Sequence, residues 1–294
     1  LSLSLNRRQS LAATAALCGS LRSPAQPAPV LRHMELLPQD DFGRYVVELM
    51  GLALQRSGLP HRLEPVPSFQ ISQGRVELEM SQARSRLDLV WSMTSRAREQ
   101  AILPLRVPLD RGLLGWRVAL VRRADLAQWQ KAPLLTELAQ RRGGQGLHWP
   151  DLEILRANGL SVDTAIDAPH LLEMLSKRRI DYFPRSVLEV QGELKTYAQL
   201  DLAVAPGFVL RYPTASYAFL RPQLSELLPP LSQALEALIK DGSLDRLFRR
   251  HFQPRLAALE LGRRRVIELK NPLLPPQTPL QRSEFWWQAG SPPP

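Results

Sequence analysis

Apolar residues recur at helical spacing over residues 45–54, directly after Asp40 and Asp41, acidic groups suited to a helix amino terminus. Gly58 supplies the stop. A short strand, 61–66, closes on prolines, and an amphipathic helix is expected over 74–86. It leads into the compact apolar run 87–91, which suits a buried strand. The polar stretch 92–95 follows at the carboxyl end of that strand, where open α/β sheets form ligand clefts. The next clear strand is 114–121. After it the pattern predicts helices over 134–141, 151–157 and 168–177, a strand at 180–183, and a helix over 187–194. Strand-like runs follow at 202–210 and 215–220, then a helical pair, 224–240 and 243–252, divided by Asp241 and Gly242. From Val266 the chain reads as extended and rich in proline, ending in Phe285, Trp286 and Trp287. No internal repeat is present. Two α/β units separated by crossing strands imply two lobes, and periodicity alone does not assign each segment to its lobe.

Composition narrows the class. With 44% hydrophobic and 22% charged residues, the 294-residue chain is neither disordered nor membrane-embedded. The net charge of +10 is compatible with anionic partners, but the basic residues are scattered, without aromatic interleaving, so nucleic acid is not an expected partner. Arg7 and Arg8 precede a short apolar run, 11–17, and a Ser/Pro/Ala-rich stretch reaching Pro29. This reads as an export signal over 1–28, cleaved near Ala25 or Ala28, and as a route to the periplasm. The only cysteine, Cys18, lies in that segment, which excludes internal disulfides and a cysteine nucleophile in the exported protein. Five scattered histidines carry no metal-ligand spacing. No Gly-rich phosphate loop, Gly-x-Ser-x-Gly element or His-Glu-x-x-His pair is present, so no catalysis, cofactor or metal is expected.

Three motifs in order carry a resemblance: 41–50, then 86–90, then Ser95 to Arg98. They resemble the first lobe of bacterial extracellular solute-binding proteins of family 3, the polar-amino-acid receptors of ABC importers. Residues 149–151, 175–185 and 271–275 are similar to a divergent branch of that group, and the likeness runs over about 30–275. The resemblance implies an α/β, two-lobed, type II periplasmic-binding-protein-like fold with the ligand cleft between lobes. It implies lobe one from 30–117 and 206–260, lobe two from 118–205, and an extended, proline-rich carboxyl-terminal tail, 261–294. It also implies hinge closure on a small solute, an inner-membrane ABC permease as partner, and a monomer.

Arg98 matches the family arginine that holds a ligand carboxylate, which a planar guanidinium can grip with two parallel hydrogen bonds. Ser92 and Ser95 share its loop and can add hydroxyl bonds. Trp91 is either a cleft wall or ordinary core. In lobe two, His148 and Trp149 precede a helix started by Pro150 and Asp151, whose free N–H groups favour an anionic group; a packed tryptophan is the competing reading. Amino-acid receptors of the family present an aspartate to the ligand ammonium, and here that place is held by Arg185, with Glu189 one turn further on. The expected ligand is therefore an anionic or carboxylate-bearing solute, anchored by Arg98. A sensory or interaction module of the same fold remains open beside transport.

Overall fold

The computed structural model describes residues 28–38, 40–67, 71 and 73–287. Apart from Ala28, the expected export signal lies outside the described residues.

The first body is built on two parallel strands, β1 (Val30–Met34) and β2 (Arg62–Val66), beside β3 (Leu89–Met93). The buried Asp88 stitches β1 to the entry of β3: it accepts from the Arg32 backbone N–H at 3.0 Å and from Arg32 Nε at 2.7 Å. β11 (Ser216–Leu220) runs antiparallel to β3 on one side and to β4 (Leu103–Leu105) on the other. Helix α1 (Asp41–Ser57) starts at Asp40, whose carboxylate accepts from Gly43 N–H at 2.7 Å, and ends at Gly58 in the left-handed region. Its apolar face packs on α8 (Leu228–Lys240) and α9 (Ser243–Ala258). Tyr45 meets Phe248 edge-on with centroids 5.6 Å apart, and Phe252 at 5.2 Å, contacts that add to simple area burial. Two shorter helices, α2 (Gln73–Ser81) and α3 (Arg96–Ala101), flank β3.

The second body centres on β5 (Trp116–Arg122), the nearly all-buried strand expected over 114–121. β5 pairs antiparallel with β8 (Phe183–Ser186), β9 (Leu202–Val204) and β10 (Phe208–Arg211). β6 (Gly143–Gly146) lies parallel to β7 (Val162–Ala165) and is bridged to Tyr182. α4 (Leu135–Ala139), α5 (Pro150–Ala157), α6 (Ala168–Ser176) and α7 (Val190–Thr196) complete this body. The molecule is thus a two-lobed α/β protein with a cleft between its sheets.

Several segment boundaries differ from the expectation. Residues 202–210 form two strands and not one, because the chain turns at Gly207 (φ +83°). β10 joins the second sheet, so the return to the first lobe comes at Ser216 and not at 206. The region assigned to a tail contains strand β12 (Arg265–Glu268), parallel to β10 in the second sheet. Beyond it the described chain turns repeatedly across the body, and Phe285 is buried.

The two strand crossings approach closely. A Cβ on Gly115 would lie 2.2 Å from the Tyr212 carbonyl oxygen, so this position tolerates only glycine without a backbone shift. Asp110, wholly buried, accepts from Leu114 N–H and Ser216 N–H, each at 2.9 Å, and so ties one crossing to the other.

Candidate functional site

Two neighbouring spaces lie between the lobes. An inner chamber of about 260 Å³ is lined from lobe one by Asp40, Trp91, Ser92 and Ser216, and from lobe two by Arg117, Trp149, Asp151, Arg185 and Glu189. An outer groove of about 850 Å³ is lined by Ser95, Arg96, Arg98, His148, Trp149, Glu153 and Arg156, with Pro272 and Leu273 on its wall. Trp149 and Pro150 border both spaces.

The structure brings the seven expected residues to this cleft, though not in the expected roles. Trp91 leaves β3 half-buried at the chamber, with its ring 5.7 Å from that of His33. Ser95 caps α3 by accepting from Arg98 N–H at 3.2 Å. Arg98 is buried at the groove, and its guanidinium is already engaged. Nε meets the Glu77 carboxylate at 2.7 Å, while Nη1 donates to Ser92 Oγ at 2.9 Å and to the Met93 carbonyl. Burial pulls the Arg98 pKa below the ordinary arginine value, and Glu77 opposes that shift. Nη2 makes no hydrogen bond among the described residues. His148 is exposed on the rim and reaches across the cleft: a Cβ on Gly74 of α2 would stand 3.0 Å from its ring.

Arg185 departs most from the expectation. It sits in β8, 6% exposed, with Nε and Nη2 donating to the two carboxylate oxygens of Glu193 at 2.8 and 2.6 Å. Glu189 is a second partner at 3.3 Å, and the guanidinium lies 5.0 Å from the Trp149 ring centre. Burial alone would lower its pKa, but the surrounding carboxylates raise it, so it stays charged. Its charge is spent inside the protein.

Groups that the sequence pattern did not single out complete the chamber. Arg117, buried in β5, pairs with Asp151 at 2.5 Å and receives Glu189 at 3.6 Å, while its Nε donates to the Tyr212 hydroxyl at 2.9 Å. Tyr212 donates in turn to Asp151. A lone arginine inside an apolar strand was the available signal, since a buried charge demands partners. Asp40 has its pKa raised by burial, an effect that the nearby Glu189 reinforces from the opposite lobe. Ser216 Oγ is wholly buried at the chamber and has no hydrogen-bond partner among the described residues.

Charge therefore sorts along the cleft. The groove carries Arg96, Arg98 and Arg156 against Glu153 on its lining and Glu77 behind Arg98. The chamber carries Asp40, Asp151 and Glu189 against Arg117 and Arg185, and Arg185 is neutralised from behind by Glu193. Among the described residues, no group of three or more His, Cys, Asp or Glu is placed to hold a metal ion. No described helix is long and apolar enough to cross a membrane.

No family model and no curated protein matches the chain. Solved structures do. An ancestral arginine-binding protein bound to arginine superposes with a TM-score of 0.56 at 14% identity, over 77% of this chain and 99% of that one. A periplasmic His/Glu/Gln/Arg/opine family-binding protein from Silicibacter pomeroyi, in complex with lysine, gives 0.55 at 11% identity, over 76% and 96%. A histidine kinase sensor domain with similarity to periplasmic binding proteins gives 0.54 at 17% identity, over 76% and 95%. At these identities the likeness establishes the fold alone, a type II periplasmic-binding-protein-like architecture.

Proposed function

We propose that the chain is an exported, non-catalytic solute-binding protein whose lobes hold a small amino-acid-like solute bearing both a carboxylate and a cationic group. The observation that carries this reading is the sorting of charge along the cleft, basic in the groove and acidic in the chamber. The carboxylate lies in the groove against Arg98, with Ser95 and His148 beside it. Nη2 of Arg98, unbonded among the described residues, donates to it. The cationic group enters the chamber between Trp91 and Trp149, where Asp40 and Glu189 face it from the two lobes. Aromatic faces and carboxylates are the usual partners of an ammonium or guanidinium. Ser92 and Arg185 hold the walls of the site, Arg185 by its stack on Trp149. The fold's relatives bound to arginine and lysine support the same class of ligand. Delivery to an inner-membrane ABC permease would follow from such capture.

A thermal-shift screen of the mature protein against basic and neutral amino acids, dicarboxylates, oligopeptides and phosphorylated metabolites tests the reading. A ligand at 100 times its dissociation constant adds roughly 2.7 kcal/mol of stability. Stabilisation by basic amino acids is expected. If only dicarboxylates or phosphorylated metabolites stabilised the protein, the cationic half of the proposal would fall. The likeness to a kinase sensor domain favours a second reading, a sensory module of the same fold. A signalling partner recovered with the ligand-bound protein, in place of a permease, would select it.

A further inference from the structure

The chain crosses between the lobes again after its two hinge strands. Leaving α9, it enters the second sheet, where Arg265 N–H donates to the Gly207 carbonyl at 2.8 Å and Arg264 Nη1 to the Ala205 carbonyl at 2.6 Å. It then turns back. Lys270 N–H donates to Asn158 Oδ1 at 2.9 Å, and Asn158 Nδ2 returns a bond to the Lys270 carbonyl at 2.8 Å, which fixes this point to the end of α5 in lobe two. Next, Asn271 Nδ2 donates to the Pro213 carbonyl, on the return crossing, at 2.9 Å. Leu273, two residues on, accepts from Arg96 N–H at the start of α3 in lobe one at 3.3 Å. Within four residues the chain is bonded to lobe two, to the hinge and to lobe one.

The end of the described chain closes over the hinge itself. Trp287 N–H donates to the Arg111 carbonyl at 2.9 Å, and the Trp287 ring meets Trp116, the first residue of β5, edge-on at 5.1 Å. Trp286 covers Gly112 so closely that a Cβ there would lie 2.7 Å from its ring. Gly112 has φ +78°, so this crossing carries a glycine both for its backbone and for the tryptophan above it. Phe285 is buried in the lobe-one core, and Arg282 pairs with Glu236 of α8 at 2.5 and 2.7 Å. The hinge-covering end is therefore anchored in lobe one.

We propose that residues 269–287 form a strap that holds the lobes near the spacing they have in this structure and supplies one wall of the outer groove through Pro272 and Leu273. Hinge closure in two-lobed proteins relies on a few connecting residues that absorb backbone rotation. Here that rotation would have to break either the Lys270 bonds to lobe two or the Leu273 bond to lobe one, because one short segment is attached to both lobes. The strap thus limits how far the lobes part, and ligand enters the groove past Leu273 without wide opening.

The test is an interlobe distance measured by spin-label EPR on the full chain. Labels are carried by Arg84→Cys in lobe one and Asp163→Cys in lobe two, with Cys18→Ser removing the native thiol. The parent should give a narrow distance distribution in the absence of any ligand. Asn158→Ala combined with Asn271→Ala removes the side-chain attachments of the segment to α5 and to the return crossing, and Trp287→Ala separately removes its ring from Trp116. Each should broaden the distribution toward longer distances while circular dichroism stays unchanged. A broad, long-distance distribution in the parent would overturn the strap, and so would an unchanged distribution in the paired asparagine variant. If Trp287→Ala fails to fold, the asparagine variant decides alone. No ligand is needed, so the result is independent of the proposed function.

Discussion

The buried carboxyl of Asp110 should make the stability of this protein fall as pH rises from about 4 to about 6. Asp110 is wholly buried at the point where the two crossing strands meet. Burial raises its pKa from 3.8 to about 6, against the lowering effect of the backbone N–H groups of Ser216, Leu114 and Gly112. In the unfolded chain the group releases its proton near 3.8, whereas the folded chain holds it to about 6. The folded state therefore binds more protons in that window, and its stability declines with rising pH. The contribution is fully present below 3.8 and lost once pH passes about 6. The interval corresponds to about 3 kcal/mol, since each pH unit of pKa difference is worth about 1.4 kcal/mol. Urea unfolding of the parent and of Asp110→Asn, in steps from pH 4 to pH 7.5, measures it. Asparagine keeps one acceptor and sets an NH₂ against the second N–H, so the variant should be less stable overall by about 1–3 kcal/mol. Its curve should nevertheless be flatter than the parent's between pH 4 and pH 6, and the difference between the two slopes isolates Asp110 from groups such as Asp40. Equal slopes would refute the assignment.

Arg98→Ala should weaken binding of a carboxylate-bearing ligand by about 2–5 kcal/mol, read by calorimetric titration, because it deletes a buried charged donor. Asp40→Asn keeps the α1 cap, since asparagine caps as well as aspartate. It should lower affinity for basic ligands while leaving the helical content measured by circular dichroism intact. Glu193→Leu strips the bidentate partner from buried Arg185 and should cost about 3–5 kcal/mol in urea unfolding. Gly115→Ala forces a Cβ against the Tyr212 carbonyl. It should cost about 1–3 kcal/mol, in line with other overpacked sites, and lower the melting temperature accordingly.

Much of the architecture was legible because it rests on local patterning. The apolar spacing of α1, its acidic start and Gly58 marked a real helix, and the apolar run 116–121 marked β5. The failures occur where local and tertiary demands diverge. Just past the helix expected over 134–141, Gly143 and Gly144 open the unexpected strand β6, whose glycines let Tyr182 and Ile180 pack against it. β1 lacks a periodic signal, since its exposure alternates only once it is paired with β2. β12 follows a helix and precedes prolines, and nothing local reveals that its partner is β10, more than fifty residues earlier.

The same divide governs the cleft. Residue type and order brought Trp91, Ser92, Ser95, Arg98, His148, Trp149 and Arg185 to one place, but a sequence gives charges without their partners. Arg185 read as a free cation turned toward a ligand. In the fold it is a satisfied one, because the helix that follows it carries Glu189 and Glu193 back over its guanidinium. Glu193 lies eight positions on, beyond simple neighbour rules, and only the turn between β8 and α7 brings it home. Arg98 is likewise held by Glu77 from a separate helix. Asp151 and Glu193 already balance Arg117 and Arg185, so Glu189, which also reaches both guanidiniums, and Asp40 leave the chamber with an excess of carboxylate. The sign of a binding site is thus set by the charge left over after pairing, and a basic protein with an arginine-lined cleft can hold an acidic chamber.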